Sequence, residues 1–560
     1  MQKSPGWLRG RAVHWIPVVP CCVLAVLIAF CSVNVPFWDQ WDFATLFVNA
    51  SNGSLGISDL LAQHTESRPF FPRLFFLGAG WLTHWDVRLE MFMSLALVAL
   101  TAGNIYRLCR ITFGDANAWT WLCCCLVNLL LFNPVQHENW LWGMQLMLYT
   151  PAACISTCLV LLASPRPANA KFLACAALCT VATFSYANGM CAWLLVLPAL
   201  LCAVPREQIA RIGGAWMTAF GANLFVYFSG YISPARPGFS EALKHPLDAL
   251  HFLCMFLGSP LGWGFGSRSM LISTLFGAAI LVILAGLVLV LIQKKQRSLW
   301  LLAMPWLVLA GYGLITSAIT TLGRFPFGFG QALVSRYIAF SIYALVGLLG
   351  VLLLLMSASQ EDEADSDEPR VPRLRAKMAA FALLAVFVLT QAATYRAGIG
   401  KMQTARRERA YGKACLLCIQ HTDEEGLGRL IYPDVAVLKT RAQELNAAKM
   451  LSPELVDQDL RLWAQNVSEE TGARATFTQE PGGAWQVSGT GVSEYAVVIS
   501  RENKISACVP VAVAEVSAGG SWSRRIPAER LQRGDVLTAW GIDTEKGTLT
   551  HLGERKVSDE

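Results

Sequence analysis

Charge is what this sequence has least of. Lys, Arg, Asp and Glu make up 15% of its 560 residues, against roughly 25% in soluble domains. With 54% hydrophobic residues the chain has too little polar surface for an ordinary soluble globule. Nucleotide signatures are also missing. There is no P-loop and no G-x-G-x-x-G, and Gly262, Gly264 and Gly266 in LGWGFGSRS have neither spacing, so soluble nucleotide binding is not expected. G-x-S-x-G and H-E-x-x-H are absent as well. Cysteine is plentiful, but zinc spacing is not found. Most of the 17 cysteines lie in apolar runs, as Cys123, Cys124, Cys125, Cys154 and Cys158 do, where a thiol acts as a small hydrophobe. Cys415 and Cys418 form a C-x-x-C without the βαβ surroundings of a thioredoxin-like site, so no redox role is expected of them. No repeat is visible along the chain.

What the sequence does have is apolar runs near the ~18–20 residues that cross a bilayer. Lys3, Arg9 and Arg11 precede a run from Trp15 to Val33 that resembles a signal sequence. No small-residue cleavage site follows, so an uncleaved first span with a cytoplasmic N-terminus is expected. Further spans are expected near 89–108, 117–132, 143–163, 171–186, 189–204, 212–230, 270–292, 299–321, 334–357 and 378–395. The expected architecture is a polytopic α-helical membrane protein with about eleven transmembrane helices. The loops this assigns inside carry Arg107 and Arg110, Arg166 and Lys171, Arg206 and Arg211, Lys294, Lys295 and Arg297, then Arg370, Arg373, Arg375 and Lys377. The short loops assigned outside at 133–142 and 187–188 carry neither Lys nor Arg, as the positive-inside rule requires. The net charge of +6 therefore reports topology, and no nucleic-acid partner is expected. The acidic run EDEADSDE at 361–368 reads as a solvated linker.

Three parts are expected. Residues 1–400 form the membrane domain, with a first outer loop at 34–85. Residues 401–473 read as an outer helical linker. From 474 to 560 short alternating runs (AWQVSG, YAVVIS, SACVPVAVAEV) separated by turn residues read as a small β-rich, sandwich-like domain. Trp485, Trp522 and Trp540 are read as its core rather than as sugar platforms.

The outer loops hold nearly all the polar groups of chemical interest, and span interiors are nearly free of Asp, Glu, Lys and Arg, which disfavours an ion-coupled transporter. The chain is organised around the first of these loops. There NVPFWDQWDF sets Asp39 and Asp42 three apart, on one face of a helical turn. The flanking Phe37, Trp38, Trp41 and Phe43 suit a membrane–water boundary. HTESRPFFPRL follows with His64, Glu66, Arg68 and Arg73. Later loops add His137 and Glu138 in QHENWLWG, Asn188 in FSYANG, and Arg324, Arg336 and Tyr337 in GRFPFGFGQALVSRY. Asp39 or Asp42 suits a general base for an acceptor hydroxyl. Arg324 and Arg336, on the side where topology asks for no cations, suit a lipid phosphate, since a guanidinium donates two parallel hydrogen bonds. Tyr337, Arg68 and Arg73 are the remaining candidates on the phosphate side. His64, Glu66, His137, Glu138 and Asn188 are candidates for orienting the acceptor. Asp42, His64, Glu66, His137 and Glu138 are also the candidate ligands of a divalent metal, although no local spacing is diagnostic of one.

Taken together, FWDQWD after the first span, HTESRPFFPRL, QHENWLWGMQ, FSYANG, GRFPFGFGQALVSRY and a C-terminal outer domain resemble the GT-C superfamily of membrane glycosyltransferases, over about residues 15–400. The resemblance implies a polyprenyl-phosphate-linked sugar as donor and a bacterial inner-membrane location. The implied acceptor is a periplasmic glycan such as lipopolysaccharide O-antigen, or a surface protein such as a pilin. It implies that an Asp of the first outer loop, by position Asp39 or Asp42, is the base or binds metal, and that Arg324 and Arg336 bind the lipid phosphate. The superfamily's adjacent acidic pair is here a spaced DQWD. An O-antigen polymerase or ligase, a lipid-linked glycan flippase, and a non-catalytic assembly protein are the rival readings.

Overall fold

Long apolar helices dominate the computed structural model, which describes residues 11–115, 117–234, 240–364, 370–422, 424–452, 454–456, 466–469, 475–490, 494–501, 504–510, 521–543 and 548–557. Seven of the described helical stretches are long and apolar enough to cross a membrane: Val87–Phe113, Ala118–Trp140, Gly143–Leu162, Pro246–Lys294, Arg297–Phe327, Ser335–Ser359 and Phe381–Leu417. This is a membrane-embedded, predominantly helical protein. The stretches expected near 15–33, 171–186 and 189–204 are shorter apolar helices, Trp15–Cys31, Ala168–Thr183 and Ala187–Cys202. At 1.5 Å per residue, a 16-residue helix such as Ala168–Thr183 reaches about 24 Å, short of a hydrocarbon core of about 30 Å. The stretch near 212–230 lies in the helix Ile209–Phe228.

The chain divides into two compact units. The first comprises residues 1–30, 60–72 and 91–402. Its helices pack through small residues and buried amides. Helices Pro246–Gly262 and Ser269–Lys294 approach so closely that a methyl at Gly258 would strike the Ser273 carbonyl, and one at Gly277 the Cys254 carbonyl. Asn133 Nδ2 donates to Gln391 Oε1 at 2.9 Å and to Thr394 Oγ1 at 2.8 Å, tying the turn after helix Ala118–Leu131 to helix Arg370–Leu417 by buried polar groups. The second half of the acidic run at 361–368 lies outside the described residues.

The second unit comprises residues 31–59, 73–90 and 403–560. Most of the first outer loop thus belongs with the C-terminal region. Beyond the helices Glu424–Leu430 and Val435–Ala447 come eight strands: β1 Asn466–Glu469, β2 Thr476–Gln479, β3 Trp485–Thr490, β4 Glu494–Arg501, β5 Lys504–Pro510, β6 Ser521–Ile526, β7 Val536–Asp543 and β8 Thr548–Lys556. They form a five-stranded sheet, β1-β8-β7-β4-β5, and a three-stranded sheet, β2-β3-β6. Pairing is antiparallel except between β1 and β8. Val487, Trp485, Trp522 and Ile526 of the small sheet share one core with Val497, Ile499, Val509, Leu537 and Leu552 of the large one. That is the sandwich expected from the alternating runs. The far face of the large sheet carries a second core of Val498, Cys508, Trp540 and Leu549 with Leu417, Cys418 and Val456. All three tryptophans of the region are core side chains, 3%, 2% and 3% exposed for Trp485, Trp522 and Trp540. Of the linker expected over 401–473, residues 423, 453, 457–465 and 470–473 lie outside the described residues.

Candidate functional site

The motif GRFPFGFGQALVSRY folds as a chain of short 3₁₀ turns between two long helices. Helix Arg297–Arg324 ends on Arg324. Turns follow at Phe325–Phe327, Phe329–Leu333 and Ser335–Tyr337, and helix Ile338–Ala364 begins immediately after. The turns are separated at Gly328, whose φ of +96° only glycine adopts without strain. The excursion brings both arginines onto one aromatic ring. The Arg324 guanidinium lies 5.6 Å from the centroid of the Tyr337 ring and that of Arg336 lies 5.1 Å from it. Tyr337 is 4% exposed, and its phenol is a close electrostatic neighbour of the Arg336 guanidinium.

Glu138 sets the position of Arg336. Its Oε2 accepts from Ser335 Oγ at 2.9 Å and from the Arg336 backbone N–H at 3.0 Å. Asn139 Nδ2 donates to the Arg336 carbonyl at 2.9 Å. The Arg336 guanidinium itself reaches Glu138 Oε1 only at 3.8 Å, with both side chains about one-third exposed. Arg324 has no ion-pair partner among the described residues. Two guanidinium groups are therefore stacked with most of their donors unspent, a good site for a phosphate. The half-buried Tyr186 phenol has Tyr337, Glu66, Arg324 and Arg336 among its electrostatic neighbours. Glu66, Glu138, Arg324, Arg336 and Tyr337, spread over three loops in the sequence, thus share one neighbourhood.

The other candidates of this unit support loops. The backbones of His64 and Ser67 bridge each other, and the Glu66 carbonyl accepts from Tyr227 OH at 2.6 Å. Arg68 spends both terminal nitrogens on carbonyls, of Leu61 at 2.9 Å and Ser229 at 2.7 Å. His137 Nδ1 faces the Val135 carbonyl at 3.2 Å, and its ring lies against Trp263. Asn188 is buried in the turn Ala187–Met190. That turn requires Gly189, where a methyl would collide with the Ala182 carbonyl.

Asp39, Asp42 and Arg73 belong to the second unit. The 3₁₀ helix Trp38–Phe43 carries both acids, and at three residues per turn their side chains stack on one face. Asp42 Oδ1 accepts from Tyr432 OH at 2.7 Å and from Arg441 Nη1 at 2.8 Å. Burial together with the neighbouring Asp42 carboxylate raises the Tyr432 phenol above its ordinary pKa. Of the surrounding aromatics, Trp41 and Phe43 are buried and Trp38 is exposed, while Arg409 covers the Phe37 ring at 3.3 Å and Arg73 lies over Phe43 at 5.4 Å. Trp38 donates its backbone N–H to the Ile431 carbonyl at 2.7 Å. Among the described residues no group of three or more His, Cys, Asp or Glu side chains is placed to hold a metal ion, the candidate set of Asp42, His64, Glu66, His137 and Glu138 included.

Sequence reasoning missed Tyr186, Tyr432, Arg441 and Glu90. Glu90 is buried and accepts from Gln40 Nε2 at 2.8 Å and Trp85 Nε1 at 3.0 Å. A lone acid opening a long apolar helix was a signal that could have found it. No family model, no curated protein and no solved structure matches this chain.

Proposed function

We propose that this chain is a GT-C-type membrane glycosyltransferase of a bacterial inner membrane. In this reading it spans about eleven times, with the short apolar helices as the thinnest crossings and the C-terminal region in the periplasm. It moves a sugar from a polyprenyl-phosphate donor to a periplasmic acceptor, an envelope glycan such as O-antigen or a surface protein. The observation that carries the reading is the Arg324–Tyr337–Arg336 stack: two partly exposed guanidiniums held on one ring with little acid to neutralise them. Such a pair suits the phosphate of the donor and the charge that grows on it as the sugar leaves. The acceptor hydroxyl attacks the anomeric carbon, the bond from that carbon to the phosphate oxygen breaks, and polyprenyl phosphate departs with inversion at the sugar. The hydroxyl proton passes to a carboxylate of the first outer loop, for which Asp39 and Asp42 are the candidates.

One observation favours a second reading, a non-catalytic assembly protein. Asp42 is held by Arg441 and Tyr432, as an anchoring residue would be. Mass spectrometry of envelope glycans and surface proteins separates the two. In cells carrying Asp39→Asn, Asp42→Asn or both, the first reading expects one defined sugar mass to disappear while the protein remains in the membrane. An unchanged glycan profile in all three variants overturns it in favour of the second.

A further inference from the structure

We propose that Cys418 and Cys508 are joined by a disulfide in the mature protein, stapling the end of the last long helix to the open edge of the five-stranded sheet. Helix Arg370–Leu417 stops one residue before Cys418, and the chain turns there, with the His421 N–H donating to the Cys418 carbonyl at 2.8 Å. β5 is the last strand of its sheet, and its free edge takes up this turn: the Cys508 N–H donates to the His421 carbonyl at 2.8 Å. That backbone bond brings the turn that follows Cys418 against the strand that carries Cys508. Both thiols are 1% exposed and both belong to the core on the far face of the sheet, and Cys418 is among the electrostatic neighbours of the Cys508 thiol. Cys415, the other member of the C-x-x-C, has Tyr411, Cys418 and Thr422 as neighbours. The cross-link assigned is the distant one, Cys418 with Cys508, because the bond from the Cys508 N–H to the His421 carbonyl draws those two segments together.

The inference rests on the periplasmic placement of the C-terminal region proposed above, since that compartment oxidises thiols and the cytosol does not. The oxidant is a protein disulfide of the thiol–disulfide exchange class. One thiolate attacks it to give a mixed disulfide, and the second displaces it. The sulfur–sulfur bond passes to Cys418 and Cys508, and two protons and two electrons end on the two thiols of the oxidant. Burial of the pair implies that this happens before the sheet closes over it.

The full chain is extracted from membranes under denaturing conditions with N-ethylmaleimide, digested without reduction, and its peptides are weighed. A linked peptide containing positions 418 and 508, split by reductant, is expected in the wild type and in Cys415→Ser. It is lost in Cys508→Ser, where Cys418 becomes alkylated. Alkylation of both thiols without reduction, or a link from Cys415 to Cys418, overturns the proposal. Labelling of Glu529→Cys, at an exposed position of the same region, by a membrane-impermeant maleimide from the periplasmic side reports placement separately. Free thiols with the label present overturn the disulfide alone. Free thiols without it overturn the disulfide and the topology together.

Discussion

Tyr337 does for two arginines what a carboxylate pair would otherwise do. A guanidinium over an aromatic face gains about 0.5–2 kcal/mol without an opposing charge, so Arg324 and Arg336 are held in place while their positive charge stays available. Glu138 contributes mainly through Ser335 and the Arg336 backbone, fixing the turn that presents the guanidinium. On the proposed function, affinity for polyprenyl phosphate, measured by native mass spectrometry of the solubilised protein, is expected to fall in Arg324→Ala and Arg336→Ala by about tenfold or more each, the scale of a lost charge-assisted hydrogen bond. Arg336→Lys is expected to recover only part of it, because an ammonium lacks the planar fork. Tyr337→Phe keeps the ring face that both guanidiniums lie against and removes only the hydroxyl, so with the ring as the holding group its affinity should stay near wild type. A large loss in Tyr337→Phe would move the role from the ring to the hydroxyl.

At the scale of elements, the β-sandwich carries its own pH sensor. The Asp535 side chain is fully buried beside β7, and Arg501 of β4 reaches it with Nε to Oδ1 at 2.9 Å and Nη2 to Oδ2 at 3.2 Å. The Gln532 backbone N–H adds a third donor at 2.8 Å. The Arg501 hydrogen bonds, then the Gln532 N–H, hold the Asp535 carboxyl below its ordinary pKa. The folded state thus binds this proton less readily than the unfolded chain. The stabilisation is complete above the unfolded pKa of about 3.9 and is lost as pH falls through the depressed folded value. Tryptophan fluorescence of the three core tryptophans in the full chain should show the sandwich loosening between about pH 4 and pH 2. In Asp535→Asn that acid-dependent component should be absent, with lower stability already at pH 7. An unaltered acid transition in the variant would show that other carboxylates govern it.

For the whole molecule, the grouping of the chain matters more than the number of its spans. Residues 31–59 are separated from residues 403–560 by over three hundred positions, yet they fold in one unit. Trp38 is tied to Ile431, Phe37 to Arg409, and Asp42 to Tyr432 and Arg441. Deleting 403–560 removes every one of these partners, whereas deleting 474–560 leaves them in the chain. Chymotryptic cleavage at Phe37, Trp41, Phe43 and Phe47 should therefore accelerate about tenfold or more in the first deletion, because proteolysis follows the population of the open form. It should change less in the second. Equal protection in both would mean that the loop holds its shape without the C-terminal helices. Much of the class was already legible in the sequence: low charge and long apolar runs require a bilayer, and period-two alternation between turn residues requires a sheet with one face buried.

Those properties are local. A window of twenty residues decides whether a helix is soluble in lipid, and two adjacent residues decide which face of a strand is apolar. Composition and periodicity thus determined the membrane class, the C-terminal sandwich, its tryptophan core and the polar loops that hold the candidate residues. Partner choice is not local. That Asp42 meets Arg441, 399 positions away, that Arg324 and Arg336 both lie against the ring of Tyr337, and that Cys418 and Cys508 enter one core depend on how helices and turns return to one another. A sequence states the charge of each side chain; only tertiary packing decides which opposite charge, ring or thiol stands within hydrogen-bonding distance of it.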